Sequence, residues 1–144
     1  MSVLAEAFGP GSIELAVASG DWREAIGAAG AALQASGRTA VEYTESMIRA
    51  VEDNGPYIVI APGVALAHAA ISPAVYSAGL SLIRLAEPVE FGPGQPVSLV
   101  FALAALAGDA HAELMSEFAQ WLTRDGQINF LLNASSEAEI RLSF

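Results

Sequence analysis

The sequence predicts an α/β fold in which helices and strands pack in layers. Three observations predict it. Ile13, Leu15 and Val17 alternate with Glu14 and Ala16 at the period of a half-buried strand. Val97 to Ala105 is an apolar run of the kind found in fully buried central strands. Capped amphipathic helical stripes stand between and after such runs, and helices alternating with apolar strands imply a layered sandwich. The 144 residues are the length of one ordinary domain, in which roughly 70% of the unfolded surface is buried on folding. Residues 1–144 are therefore read as a single domain, with no internal repeat or low-complexity linker.

After the first strand, Asp21 opens a helix with Glu24 at the capping-box position, and Trp22, Ala25, Ile26, Ala29 and Leu33 form its inward stripe as far as Gly37. Thr39 and Glu42 repeat the signature for a second helix, with Val41, Thr44, Met47, Ile48 and Val51 facing inward until Gly55-Pro56. Tyr57 to Ile60 reads as a short buried strand ended by Pro62-Gly63. Residues 61–76 hold two prolines, a glycine and no clear period, which predicts a loop carrying His68. Ser77 to Leu85 reads as a strand, residues 91–96 as a turn and Val97 to Ala105 as the central strand. Gly108-Asp109 opens a helix with His111, Leu114, Met115, Phe118 and Leu122 inward. Asp125 is expected to cap a short helix through Leu132. Ser136 with Glu139 suggests a last helix, while Ile140, Leu142 and Phe144 also alternate like a strand.

Composition narrows the functions. Hydrophobic residues make up 53% and charged ones 15%, a balance far from disorder and rich in apolar contact surface for protein partners. The same surface allows a homodimer. A net charge of −10 repels phosphate backbones and anionic headgroups, which argues against nucleic acid and membrane surfaces and favours a basic protein partner. The apolar run Leu99 to Ala107 is short of the ~20 residues of a membrane helix, and the N-terminus has no basic-then-apolar pattern. The expected location is cytoplasmic, without membrane insertion. The absence of cysteine removes thiolate nucleophiles, disulfides and most structural zinc sites.

Chemistry near neutral pH then falls on two histidines, His68 and His111. A neutral imidazole has a free ring nitrogen and acts as nucleophile or base, and a phosphoryl group on that nitrogen is labile, which suits relay better than hydrolysis. Small residues around His68 (Gly63, Ala65, Ala67, Ala69, Ala70) admit a partner closely. The plain alternative is a surface histidine among alanines. For His111 the plain alternative is a satisfied core group; its position in a first helical turn disfavours imidazolium, so a neutral ring could donate to a phosphoryl oxygen, or the free amides of that turn could hold an anion. No HxH or HExxH spacing indicates a metal, and no glycine-rich phosphate loop is present. No cofactor is expected. Trp22 and Trp121 read as packing residues, and Glu87 and Glu90 as a solvated turn.

The segment Gly55-Pro56-Tyr57-Ile58-Val59-Ile60-Ala61-Pro62-Gly63-Val64-Ala65-Leu66-Ala67-His68-Ala69 resembles the phosphorylation site of the IIA components of bacterial sugar phosphotransferase systems, the EIIA type 2 or fructose/mannitol superfamily, nearest its ascorbate-type branch. The likeness continues in Trp22-Arg23-Glu24-Ala25-Ile26, Gly37, Tyr43 and Met47-Ile48 before it, and in Glu87-Pro88-Val89-Glu90-Phe91-Gly92, Pro96-Val97 and Asp109-Ala110-His111 after it. This resemblance implies a mixed β-sheet flanked by helices on both faces. It implies a phosphotransferase component in which His68 accepts a phosphoryl group from the carrier HPr and passes it to a IIB component, for uptake of ascorbate or a related sugar bound by the membrane component IIC. His111 would be the second active-site histidine, which stabilises the phosphoryl group.

The chain departs from that family beside His68. Ala67 stands where the family usually has proline, and Ala69-Ala70-Ile71 replaces an Ala-Arg-Pro-like continuation. Proline would restrict the segment and arginine would offer a cation to phosphoryl oxygens. Two functions of different kinds follow: a working phosphocarrier, or a regulatory module with the same fold that is no longer coupled to a transporter.

Overall fold

The computed structural model describes residues 2–144, and for residues 109 and 110 the backbone alone. Met1 of the expected domain, and the side chains of Asp109 and Ala110 from the Asp109-Ala110-His111 segment, lie outside the described residues. In chain order the elements are α1 (Val3–Ala7), β1 (Ile13–Val17), α2 (Trp22–Ala35), α3 (Val41–Asn54), β2 (Val59–Ala61), β3 (Gly63–Ala67), β4 (Gly79–Glu90), β5 (Pro96–Ala104), α4 (Asp109–Leu122), α5 (Gln127–Asn133) and α6 (Glu137–Arg141). The strands form one sheet in the order β1-β4-β5-β3-β2. It is mixed: β1 runs parallel to β4 and β3 parallel to β5, while the β4–β5 and β2–β3 pairs are antiparallel.

Helices cover both faces. On one, Ile26 and Leu33 of α2 and Tyr43 and Met47 of α3 pack on Ala65, Ala67, Ile83, Val100 and Ala102. On the other, Phe8, Phe118, Trp121, Leu131 and Ile140 pack on Val64, Leu66, Leu82, Leu99 and Phe101. Neighbouring residues of β3 and β5 thus enter opposite cores, as expected of strands buried on both sides.

The start of α2 follows its local signal. The Asp21 carboxylate accepts the Glu24 amide at 2.9 Å, and the Glu24 carboxylate accepts from Gly20 at 2.6 Å, one residue before the cap. The signature at Thr39 does not become a cap. Thr39 bridges Val75 in an antiparallel pair and is buried, so Ala40 takes the N-cap position with no side-chain bond. A tertiary backbone partner here overrides a local one.

Residues 61–76 are not one loop: they contain β3, which pairs with both β2 and β5. The strand expected at Tyr57 to Ile60 is the three-residue edge strand β2, with Ile60 46% exposed, and Pro62-Gly63 is a hairpin turn with Gly63 at φ 82°. The strand expected over Ser77 to Leu85 runs as β4 to Glu90, so Glu87 lies in a strand, while Glu90 accepts the Gln95 amide at 2.9 Å across the turn. Gly126, in the left-handed region, precedes α5 in place of an Asp125 cap. Ser136 caps α6 through the Glu139 amide at 3.2 Å, which decides the C-terminus as helix. Phe144 then stacks on Phe8 at 4.8 Å, and α1, too short for any periodic signal, contributes Leu4 and Ala7 to the same core.

Three arginines join distant segments by donating to backbone carbonyls. Arg38 reaches Glu6 and Ala78, Arg84 reaches Leu131 and Ala134, and Arg141 reaches Phe8 and Gly9, at 2.6 to 2.9 Å. Such charge-assisted bonds satisfy carbonyls where chain ends and loops meet the layers.

Gly30 lets α2 and α3 approach closely, because a Cβ there would overlap the Thr44 side chain. Gly30→Ala is therefore expected to destabilise by roughly 1–3 kcal/mol despite the better helix propensity of alanine. Urea denaturation measures it; an unchanged or raised midpoint would show that the helices are not in close contact.

Candidate functional site

His68 immediately follows β3, and His111 lies in the first turn of α4, which follows β5 after a four-residue connection. Because β3 and β5 are parallel neighbours with Ala67 opposite Ala102, the sheet brings both histidines to one edge, at the carboxyl ends of adjacent strands. That edge is where open α/β sheets offer room for ligands. The half-buried His68 is thus held by a strand rather than placed on a free loop.

Its imidazole is constrained twice. Nδ1 lies 2.9 Å from the carbonyl oxygen of Leu66. A carbonyl can only accept, so Nδ1 is the donor and carries the proton of the neutral ring, which leaves the Nε2 lone pair free. The Tyr57 ring meets the imidazole edge to face, with centroids 5.5 Å apart and planes at 88°. Tyr57 is itself 47% exposed, so the site opens to the surface.

His111 is half-buried, and its Nδ1 is shielded from solvent with no hydrogen-bond partner among the described residues. Its amide donates to Gly108 at 3.1 Å.

Sequence reasoning did not find the role of Tyr43 at this edge. Its hydroxyl donates to the Leu103 carbonyl at 2.6 Å and accepts the Ala69 amide at 3.1 Å, with the Ala69 carbonyl at 3.4 Å. Tyr43 is 1% exposed. Burial pushes its phenol above the ordinary value, so it stays neutral and keeps its donor proton. In the sequence Tyr43 stands out only as one of the residues that carry the family resemblance.

No helix among the described residues is long and apolar enough to cross a membrane, and no cluster of three His, Asp or Glu among them is placed to hold a metal ion.

Residues 6–143 match the family described as phosphoenolpyruvate-dependent sugar phosphotransferase system, EIIA 2. The ascorbate-specific EIIA component of Escherichia coli K12 is 33% identical over 105 residues, 72% of this chain and 68% of that protein. The solution structure of the mannitol-specific cryptic phosphotransferase enzyme IIA of Escherichia coli superposes with a TM-score of 0.88 at 29% identity, covering 99% of this chain and 97% of that one. The Escherichia coli mannitol enzyme IIA, solved in complex with phosphorylated mannitol enzyme IIB, shares the fold with a TM-score of 0.80 at 22% identity, over 94% of each chain.

Proposed function

Because this chain belongs to the EIIA type 2 family of the phosphoenolpyruvate-dependent sugar phosphotransferase system, we propose that His68 accepts a phosphoryl group on Nε2 from phospho-HPr and passes it to a IIB component. The reading takes residues 1–144 as one such domain, working on the cytoplasmic side with IIC in the membrane, for uptake of ascorbate or a related sugar. The single observation that carries it is the contact of Nδ1 with Leu66, which leaves Nε2 as the nucleophile. The mannitol enzyme IIA solved with phosphorylated IIB supports a partner of that kind.

In the proposed step the Nε2 lone pair attacks phosphorus, and the N–P bond to His68 forms as the donor's N–P bond breaks and its electron pair returns to the HPr imidazole. The proton stays on Nδ1, hydrogen-bonded to the Leu66 carbonyl, throughout, so the ring need gain or lose no proton as the phosphoryl group arrives. Transfer onward reverses the geometry: a IIB thiolate attacks phosphorus and His68 leaves as the same neutral tautomer. Acid conditions oppose acceptance, since protonation of Nε2 removes the lone pair. His111 stabilises the phosphoryl oxygens by a hydrogen bond from its ring, placed in the first turn of α4.

The test is incubation with phosphoenolpyruvate, enzyme I and HPr, read by intact mass. One added phosphoryl group is expected, and an unmodified mass overturns the reading. His111→Ala is expected to slow acceptance on the order of 100- to 1,000-fold, the scale of removing one transition-state donor, with phosphorylation still detectable. An unchanged rate would remove His111 from the site.

Ala67 and Ala70 favour a second reading, a regulatory module that is phosphorylated but does not feed a transporter. Phosphoryl transfer from the loaded chain to the cysteine of a purified IIB distinguishes them: transfer supports the carrier, and a stable phosphoprotein supports the regulator.

A further inference from the structure

The end of the β3–β5 ladder contains a substitution of one kind of hydrogen bond for another. Leu66 turns its amide away from β5 and donates it to Ile58 at 2.8 Å. Alternation along a strand therefore turns the amides of Ala67 and Ala69 toward β5. With Ala67 opposite Ala102, the acceptor that Ala69 would reach in a continued parallel ladder is the carbonyl of Leu103. That bond is absent. The Tyr43 hydroxyl stands between the two groups, accepting from Ala69 at 3.1 Å and donating to Leu103 at 2.6 Å. A backbone pair has been replaced by a three-member chain, N–H to phenol to carbonyl, one residue after His68.

We infer that Tyr43 is a positioning residue for phosphoryl acceptance: its hydroxyl wedges β3 from β5 beyond Ala67, and so holds His68 at the angle from which Nε2 faces the incoming phosphoryl group. The inference rests on the phosphocarrier reading for its consequence, but the wedge itself is a property of the backbone. Two features suit Tyr43 to the task. It projects from the first turn of α3 into the core that carries α2 and α3, and α3 is pinned to α2 by the close approach at Gly30 and by the bond from Gln34 to Thr44 at 3.2 Å. Its hydroxyl donates and accepts at once, which the ladder's interruption requires; phenylalanine keeps the packing and removes both functions.

Tyr43→Phe lets Ala69 close directly onto Leu103 or leaves both groups unpaired, and either outcome moves the His68 backbone. The expected result is a fall in kcat for acceptance from phospho-HPr of roughly 10- to 100-fold, the cost of a small misplacement of a reacting group, with KM for HPr unchanged. Solution NMR should show displaced His68 ring resonances and altered exchange of the Ala69 amide. Met47→Ala, a cavity in the same helix at a residue that makes no hydrogen bond to Ala69 or Leu103, serves as the comparison: it should lower stability and leave kcat unchanged. An unchanged kcat in Tyr43→Phe overturns the inference, as does an equal loss of kcat in Met47→Ala, which would assign the effect to general loosening of α3. If wild-type protein accepts no phosphoryl group at all, the phosphocarrier reading fails, and the NMR comparison decides the wedge by itself: unmoved His68 and Ala69 signals would reject it.

Discussion

Replacement of His68 by alanine is expected to abolish phosphoryl acceptance altogether. Alanine removes the ring nitrogen whose lone pair the Leu66 contact leaves free, the Nε2 of His68. His111 is assigned the other role, since its Nδ1 is enclosed and its place in the first turn of a helix suits a donor to anionic oxygens. The loss should not come from unfolding. His68 is only half-buried at a strand end, and its one side-chain bond contributes about 1 kcal/mol. Intact mass after incubation with phosphoenolpyruvate, enzyme I and HPr reads the result, with circular dichroism to establish folding. A folded variant that still gains a phosphoryl group would place the acceptor elsewhere.

Trp121→Ala should produce the largest loss of stability, roughly 3–5 kcal/mol, the usual range for truncating a large buried aromatic. Trp121 is 1% exposed and meets the rings of Phe8, Phe101, Phe118 and Phe144 at centroid distances of 5.5 to 6.2 Å. Its indole nitrogen donates to the Ser143 hydroxyl at 3.0 Å. The residue therefore joins α4 to β5, to the N-terminal segment after α1 and to the C-terminus after α6. Against a total of about 5–15 kcal/mol for a protein of this kind, such a loss leaves little margin. A urea titration measures it; a change below about 1 kcal/mol would mean that the five rings do not form the packed cluster described. Since α4 begins beside His111, partial loosening should also slow transfer in any fraction that remains folded.

Phosphoryl chemistry and packing are linked here by the sheet edge, not by contact between the two histidines' sequence neighbourhoods. His68 and His111 are separated by β4 and β5 in the chain, and the parallel pairing of β3 with β5 is what returns them to one end. The alanines that replace the usual proline and arginine acquire a partial explanation. Ala67 is completely buried as the last residue of β3, paired with Ala102, so pairing restricts the backbone there in place of a proline ring. The loop after it is tied at Ala69 by Tyr43.

Local signals were legible from the sequence alone. The caps at Asp21 and Ser136, the helical stripes of α2 and α4, the alternation of β1 and the apolar run of β5 each depend on neighbours within a few residues, and the two histidines stand out because composition leaves so few alternatives. The resemblance to the sugar phosphotransferase IIA family rested on the same continuous segments. Only the tertiary structure decided the rest. Strand β3 is hidden because both its faces are buried in apolar cores, which erases the polar alternation that marks a strand. Thr39 reads as a cap until Val75, far along the chain, takes its backbone. The hydroxyl of Tyr43 acquires a function only when Ala69 and Leu103 are brought to either side of it. In each case the deciding partner is distant in sequence, so its energy enters only when the chain closes on itself.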